Sequence, residues 1–159
     1  MVRFGKALGL AALVALLLWS CSRNQLVNAS TPIEGGAWAF EDARKLSVDV
    51  QDTITPFNFY VLVRHGANYP YQNLILYFKT YYPNNTYKVD TIDCPLAAPS
   101  GQWLGSGLGD MLDNRIMFKR NVQFSQGGTY NFELQHAMRP DTIEQVFDIG
   151  LMIESALDN

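Results

Sequence analysis

The chain has 159 residues, 48% of them hydrophobic and 13% aromatic, with a formal charge of −3 and two cysteines. That length suits one domain of ordinary size, and two cysteines exclude a disulfide-dense scaffold. No basic run exceeds Lys119-Arg120, so the chain lacks the clustered positive charge that nucleic acid demands of a partner.

The first residues are an address. Arg3 and Lys6 open a basic segment, Ala7 to Trp19 is apolar apart from Gly9, and Ser20 stands before Cys21. A basic start, a short apolar run and a small residue at the cut describe a signal peptide over residues 1–20. The run falls short of the roughly 20 apolar residues of a membrane span. Leu18-Trp19-Ser20-Cys21 resembles the bacterial lipobox, in which cleavage leaves the cysteine as an N-terminus acylated with palmitate-type chains. Trp19 departs from that motif, which normally has a small or β-branched residue there. The alternative is an ordinary secretory signal with a chance cysteine.

Loss of Arg3 and Lys6 with the leader leaves ten Lys/Arg against fifteen Asp/Glu, near −5. An anionic membrane would repel such a domain slightly, so the lipid at Cys21 is the expected attachment to the membrane; stable attachment takes more than one buried chain. With Cys21 lipidated, Cys94 is the only thiol and no intramolecular disulfide can form. Cys94 precedes Pro95 among Ile92 and Leu96 and reads as a small buried residue.

Residues 21–34, polar with one proline, read as the lipidated cysteine and a flexible tether, and residues 35–159 as the domain. Trp38 to Phe40 suggests a short first strand. Period-two alternation then marks Leu46 to Val50, Phe57 to Val63, Leu74 to Phe78, Phe118 to Phe124 and Tyr130 to Leu134, with a last strand from Phe147 to Ile153. Turn signals fall at Tyr82-Pro83-Asn84-Asn85, Gln126-Gly127-Gly128-Thr129 and Met138-Arg139-Pro140-Asp141. The second of these predicts a tight hairpin. A short helix is expected near 110–115 or 142–146. Seven or eight short strands at this spacing predict an all-β fold, an antiparallel β-sandwich of jelly-roll or immunoglobulin-like type.

Few constellations carry chemistry. Arg64-His65-Gly66, at the end of an apolar strand, resembles the histidine phosphatase signature, in which the histidine accepts a phosphoryl group. That chemistry also needs a second histidine, more arginines and an α/β scaffold; the other histidine, His136, has no acid after it. The simpler reading pairs Arg64 with a carboxylate. Gly101 to Gly109 alternates glycines without the lysine and helix of a phosphate loop, and reads as a connection packed beneath Trp103. No histidine–cysteine spacing suits a metal, and no base marks a nucleophile, so neither cofactor nor catalytic residue is assigned. Tyr69, Tyr71, Tyr77, Tyr81, Tyr82 and Tyr87 form a dense aromatic region that suits sugar stacking or a protein interface, or else fills the core.

A sequence of motifs then accumulates: the lipobox, Trp38, a strand ending in Arg64, Tyr69-Pro70-Tyr71-x-Asn73-Leu74, Asp90-Thr91 and Gly101-x-Trp103-Leu104-Gly105-x-Gly107. Phe124 before Gly128-x-Tyr130, Ala137-Met138-Arg139 and Asp148-Ile149-Gly150-Leu151 complete it. In this order they resemble the gliding-motility lipoprotein H (GldH) family over nearly the whole mature chain. The resemblance implies a non-enzymatic lipoprotein of the cell envelope, required for motility in gliding bacteria and linked there to secretion machinery. It further implies envelope proteins as partners. Ser22-Arg23-Asn24-Gln25 then favours the outer membrane, because no aspartate follows the cysteine, and its periplasmic leaflet, because no acidic run does. Thr53, Thr91 and Thr142, each in Asp-Thr-Ile, resemble O-glycosylation sites of exported proteins in that lineage. The candidate recognition surface is Arg64, Tyr69, Tyr71, Trp103 and Arg139, and a carbohydrate-binding envelope module using exposed tyrosines is the second expectation.

Overall fold

A computed structural model describes residues 25–157; the expected signal peptide, Cys21 and residues 22–24 lie outside the described residues. Ten strands follow one another: β1 (Gln25–Pro32), β2 (Trp38–Ala39), β3 (Arg44–Val50), β4 (Phe57–Gly66), β5 (Asn73–Tyr81), β6 (Tyr87–Pro95), β7 (Met111–Val122), β8 (Gly128–His136), β9 (Thr142–Ile143) and β10 (Val146–Ser155). A single 3-10 turn, Glu34–Gly36, separates the first two.

Eight of these strands form two four-stranded antiparallel sheets, ordered β1-β10-β4-β7 and β3-β8-β5-β6. Two such interleaved sheets are the jelly roll, so the strand order decides between the two sandwich types expected. The small β2–β9 pair closes one end.

Alternation explains the layers. On β4, Phe57, Phe59, Val61, Val63 and His65 face inward and are buried, while Arg64 points out. Inward residues of β8 and β5 answer them: Phe132 stacks on Phe78 at 5.5 Å and on Tyr130 at 6.3 Å. Phe59 crosses from the other sheet to meet Phe132 edge-on at 6.2 Å. Aromatic pairs in this geometry add about 0.5–1.5 kcal/mol each beyond the area they bury.

Three expectations are corrected. Residues 25–32 are not part of a loose tether: β1 pairs with β10 from Gln25↔Glu154 to Pro32↔Asp148. Polar side chains at Asn28, Ser30 and Thr31 hid this strand, because an edge strand of a sandwich meets water along much of its length. The helix expected near 110–115 or 142–146 forms in neither stretch: 111–115 open β7, Thr142–Ile143 form β9, and a bend at 144–145 leads into β10. Gln126-Gly127-Gly128-Thr129 does not close a hairpin, since β7 pairs with β4 and β8 with β3 and β5. Those glycines carry the chain from one sheet to the other. The tight hairpin is β5–β6, whose turn is held by Asn85 N–H donating to Tyr82 O at 3.0 Å, with Asn85 at φ 63.

Strand direction sorts the loops into two ends. Loops 51–56, 82–86 and 123–127 lie at one end, with Gln25 and Ser155. Loops 67–72, 96–110 and 137–145 lie at the other, together with β2–β9.

Candidate functional site

The end opposite Gln25 gathers most of the residues singled out from the sequence. Arg64 stands on the outer face of β4, directly opposite Asp148 of β10 and Asp113 of β7. Its Nε donates to Asp113 at 2.7 Å and its Nη1 to Asp148 at 3.4 Å. The two carboxylates, Asp113 foremost, raise the arginine's pKa further. Arg64 is thus committed to a three-residue charge ladder, the carboxylate pairing that was its simpler reading. Asp113 and Asp148 lie on β7 and β10, which flank β4 in the sheet, and only the register shows that both meet Arg64.

Above this ladder lies a groove of about 660 Å³, lined among others by Leu62, Arg64, Leu104, Ser106, Asp113 and Asp148. Loop 96–110 forms its wall. The loop is fixed to β7 by paired backbone bonds between Ser106 and Asp113, at 2.8 and 3.0 Å. Gly107 is required there, because a Cβ would collide with the carbonyl of Met111. The same loop projects Leu108, 94% exposed, into solvent.

Beneath the loop, the His65 ring is fully buried, 4.7 Å from Trp103 and 5.5 Å from Tyr69. Its Nδ1 lies 2.9 Å from the Gly66 carbonyl, which can only accept, so the proton sits on Nδ1. Nε2 is buried and unpartnered. Burial lowers the His65 pKa, with the Gly66 carbonyl and Asp113 opposing it. His136 is buried elsewhere at this end, between Trp38 at 5.3 Å and Phe40 at 5.8 Å. Neither of its ring nitrogens makes a hydrogen bond of acceptable geometry. Desolvation lowers its pKa, although the backbone of Asp141 and Trp38 lies close enough to favour the charged ring. A phosphoryl acceptor needs an exposed ring nitrogen, and neither ring offers one. Arg64-His65-Gly66 is therefore a structural tripeptide, with the arginine outside and the histidine in the core.

Of the other candidate surface residues, Tyr69 is corrected: it is 4% exposed, donates through its hydroxyl to Asn73 O at 3.1 Å, and packs in the core. Burial moves its phenol pKa up. Tyr71, half-buried, leans on Tyr69 at 5.6 Å. Trp103 is half-buried and Arg139 exposed on loop 137–145. Thr91 and Thr142 are exposed and Thr53 half-buried.

The remaining tyrosines divide between faces. Tyr77, Tyr81 and Tyr87 stand on the outer face of the second sheet beside Val89, all exposed, whereas Tyr82 packs against Tyr130. Cys94 is buried and its thiol is pushed up to about 12 by desolvation, which removes it as a nucleophile at neutral pH. Among the described residues, no group of three His, Cys, Asp or Glu side chains converges to hold a metal ion, and no helix is long and apolar enough to cross a membrane.

Comparison with known proteins places this architecture. The chain is 29% identical over 153 residues to the gliding motility lipoprotein GldH of Flavobacterium johnsoniae, covering 92% of this chain and 94% of the relative. It is 26% identical over 148 residues to the GldH homolog of Christiangramia forsetii, covering 89% and 90%. Among solved structures, the Yersinia pseudotuberculosis-derived mitogen aligns over 82% of this chain and 87% of its own, at 10% identity and a TM-score of 0.34, too slight a likeness to carry an argument. The model described as GldH lipoprotein matches residues 25–153, from the first residue of β1 into β10. The strand that opens the fold therefore also opens the family's shared region, and the chain belongs to the GldH lipoprotein family.

Proposed function

We propose that this protein is a non-enzymatic assembly module of the gliding motility apparatus, held by lipid at Cys21 to the periplasmic face of the outer membrane. In this reading it brings envelope proteins of the motility and secretion machinery together at the end of the sandwich opposite Gln25. The observation that carries it is the composition of that end. Exposed Leu104 shares a groove with the Asp148–Arg64–Asp113 ladder, and exposed Leu108 and half-buried Trp103 stand on the same loop as Leu104. Apolar anchors with an aromatic and an arginine, rimmed by paired charge, are what protein interfaces use. Both buried histidines and the buried thiol supply no exposed reactive group to compete with this reading.

The sugar-binding alternative has less support. A stacking platform wants coplanar exposed rings, whereas Tyr81 and Tyr87, 5.8 Å apart, are inclined at 38°, and Tyr69 lies in the core.

Affinity capture of the tagged native protein from membranes tests the proposal. Envelope proteins are expected to be recovered, and to be lost with an Arg64→Ala/Leu104→Asp variant that stays in the membrane fraction. Recovery no greater than from a soluble Cys21→Ala control contradicts it.

A further inference from the structure

The register of β1 fixes which way the domain faces. Gln25 pairs with Glu154 near the end of β10, and only three residues separate it from Cys21. Four residue steps reach at most about 14 Å. The end of the sandwich bearing Gln25 is thus held beside whatever Cys21 is anchored in, while the ten residues of β4 carry the opposite end about 30 Å away.

That near end is built for an interface. Ile54 is 81% exposed on loop 51–56 and Leu157 is 68% exposed just beyond β10. The Ile54 side chain is held out by a fixed loop. Its N–H donates to Asp52 Oδ1 at 2.8 Å, as does that of Thr55 at 2.9 Å. Its carbonyl accepts from Gln123 Nε2 at 2.6 Å. A backbone clamped on both sides, with an isoleucine pointing into solvent, does not serve the core. Tyr87, 66% exposed at the start of β6, flanks the same end. Arg120 is exposed there, beside Asn58, Arg115 and Asn121 in an open polar recess. Arg115 is engaged by Glu154 and lies over the Tyr60 ring at 4.0 Å, while Arg120 has no carboxylate partner among the described residues.

We propose that this end rests on the bilayer to which the protein is tethered. Ile54 and Leu157 enter the interfacial region, Tyr87 lies at headgroup level, and Arg120 meets lipid phosphate. Apolar tips with aromatic and basic neighbours are the composition of a membrane-interface contact. The outer face of the first sheet is a poorer candidate, because it carries the Arg64 and Arg115 ion pairs, whose charges would lose hydration there. End-on docking also leaves the groove under Leu104 clear of the membrane. A glycan on Thr53 would stand beside Ile54 and block this contact, so the two are mutually exclusive.

The inference rests on acylation of Cys21, and the experiment separates the two. Lipidated full-length protein carrying Ile54→Cys, Leu157→Cys or Leu108→Cys is labelled with an environment-sensitive fluorophore, buried Cys94 being inert. Each is placed in phosphatidylcholine–phosphatidylglycerol vesicles containing headgroup-nitroxide lipid. Labels at positions 54 and 157 are expected to be quenched several-fold more than the label at 108. Equal quenching at the three positions, in protein that carries fatty acid and co-floats with the vesicles, overturns the orientation alone. Absence of fatty-acid incorporation that depends on Cys21 overturns the anchor and the orientation together.

Discussion

Trp103 covers His65 edge-on, with ring centroids 4.7 Å apart. This contact joins loop 96–110 to β4 and turns a residue with catalytic potential into a packing residue. Trp103→Ala should cost about 2–3 kcal/mol, below the 3–5 kcal/mol typical of a fully buried aromatic because Trp103 is half-buried. It should also hydrate His65 and return its pKa toward the ordinary histidine value. Urea unfolding gives the first quantity and an NMR titration of the ring the second; an unchanged titration would show that Trp103 does not seal the site.

Acid should destabilise the fold through its two histidines. Burial depresses both pKa values in the folded protein. The unfolded chain then binds more protons below about pH 6.5, so stability falls as pH drops through that value toward the folded pKa. Above about pH 7.5 these groups contribute no slope. Thermal melting across pH 5 to 8 measures the effect, and a His136→Phe variant should melt with a shallower dependence if it folds as the native chain does.

Gly150 allows β1 to lie against β10. A Cβ at this position would meet the Ala29 carbonyl and Ser30. Gly150→Val should cost about 1–3 kcal/mol, the usual range for overpacking, and should loosen residues 25–32 first. Hydrogen exchange of the β1 amides reads this directly: early loss of protection confined to β1 is the expected pattern. Uniform loss throughout the sandwich would mean that the close approach is not the weak point.

If the proposed function holds, Arg64→Ala should separate stability from recognition. Arg64 and Asp113 are about half exposed and Asp148 is 23% exposed, and solvent-reached pairs of that kind contribute about 0–1 kcal/mol. Arg64→Ala should therefore melt close to the native protein while recovering less of any envelope partner. A large loss of stability would make the ladder a structural element rather than a recognition surface.

Cys94 offers a simple check of the core. Its buried thiol, pushed up to about 12, should resist a disulfide exchange reagent in native buffer and react at once in denaturant.

The strands that the sequence made legible are those in which every second residue is large and apolar. Phe57, Phe59, Val61 and Val63 on β4 and Tyr130, Phe132 and Leu134 on β8 are all buried and carry the two sides of the core, although Asn58, Tyr60 and Glu133 between them are buried too. β1 and β6 were hidden for a shared reason: exposed residues dominate both, and six of the nine β6 residues, Tyr87 to Val89, Thr91, Asp93 and Pro95, face water. The pairing of strands lay beyond local pattern, so Gly127 and Gly128 looked like a hairpin and serve instead as a crossing between sheets. At the site, Arg64, Trp103 and Arg139 were visible as exposed or half-exposed polar and aromatic residues. Tyr69 was misjudged because the preference of tyrosine for interfaces cannot tell a ring packed beneath a loop from one above it. Asp113, Asp148, Leu104 and Leu108 needed the register and the loop path to be placed.

A tethered module with one end on the membrane and the other on protein should crosslink differently at its two ends. A photo-crosslinking amino acid at Arg139, and separately at Ile54, tests it in living cells. A discrete protein adduct is expected from position 139, lost when Cys21 is changed to alanine, with no comparable protein adduct from position 54. Protein adducts from position 54 and none from position 139, in cells where the lipidated protein is intact, would contradict it.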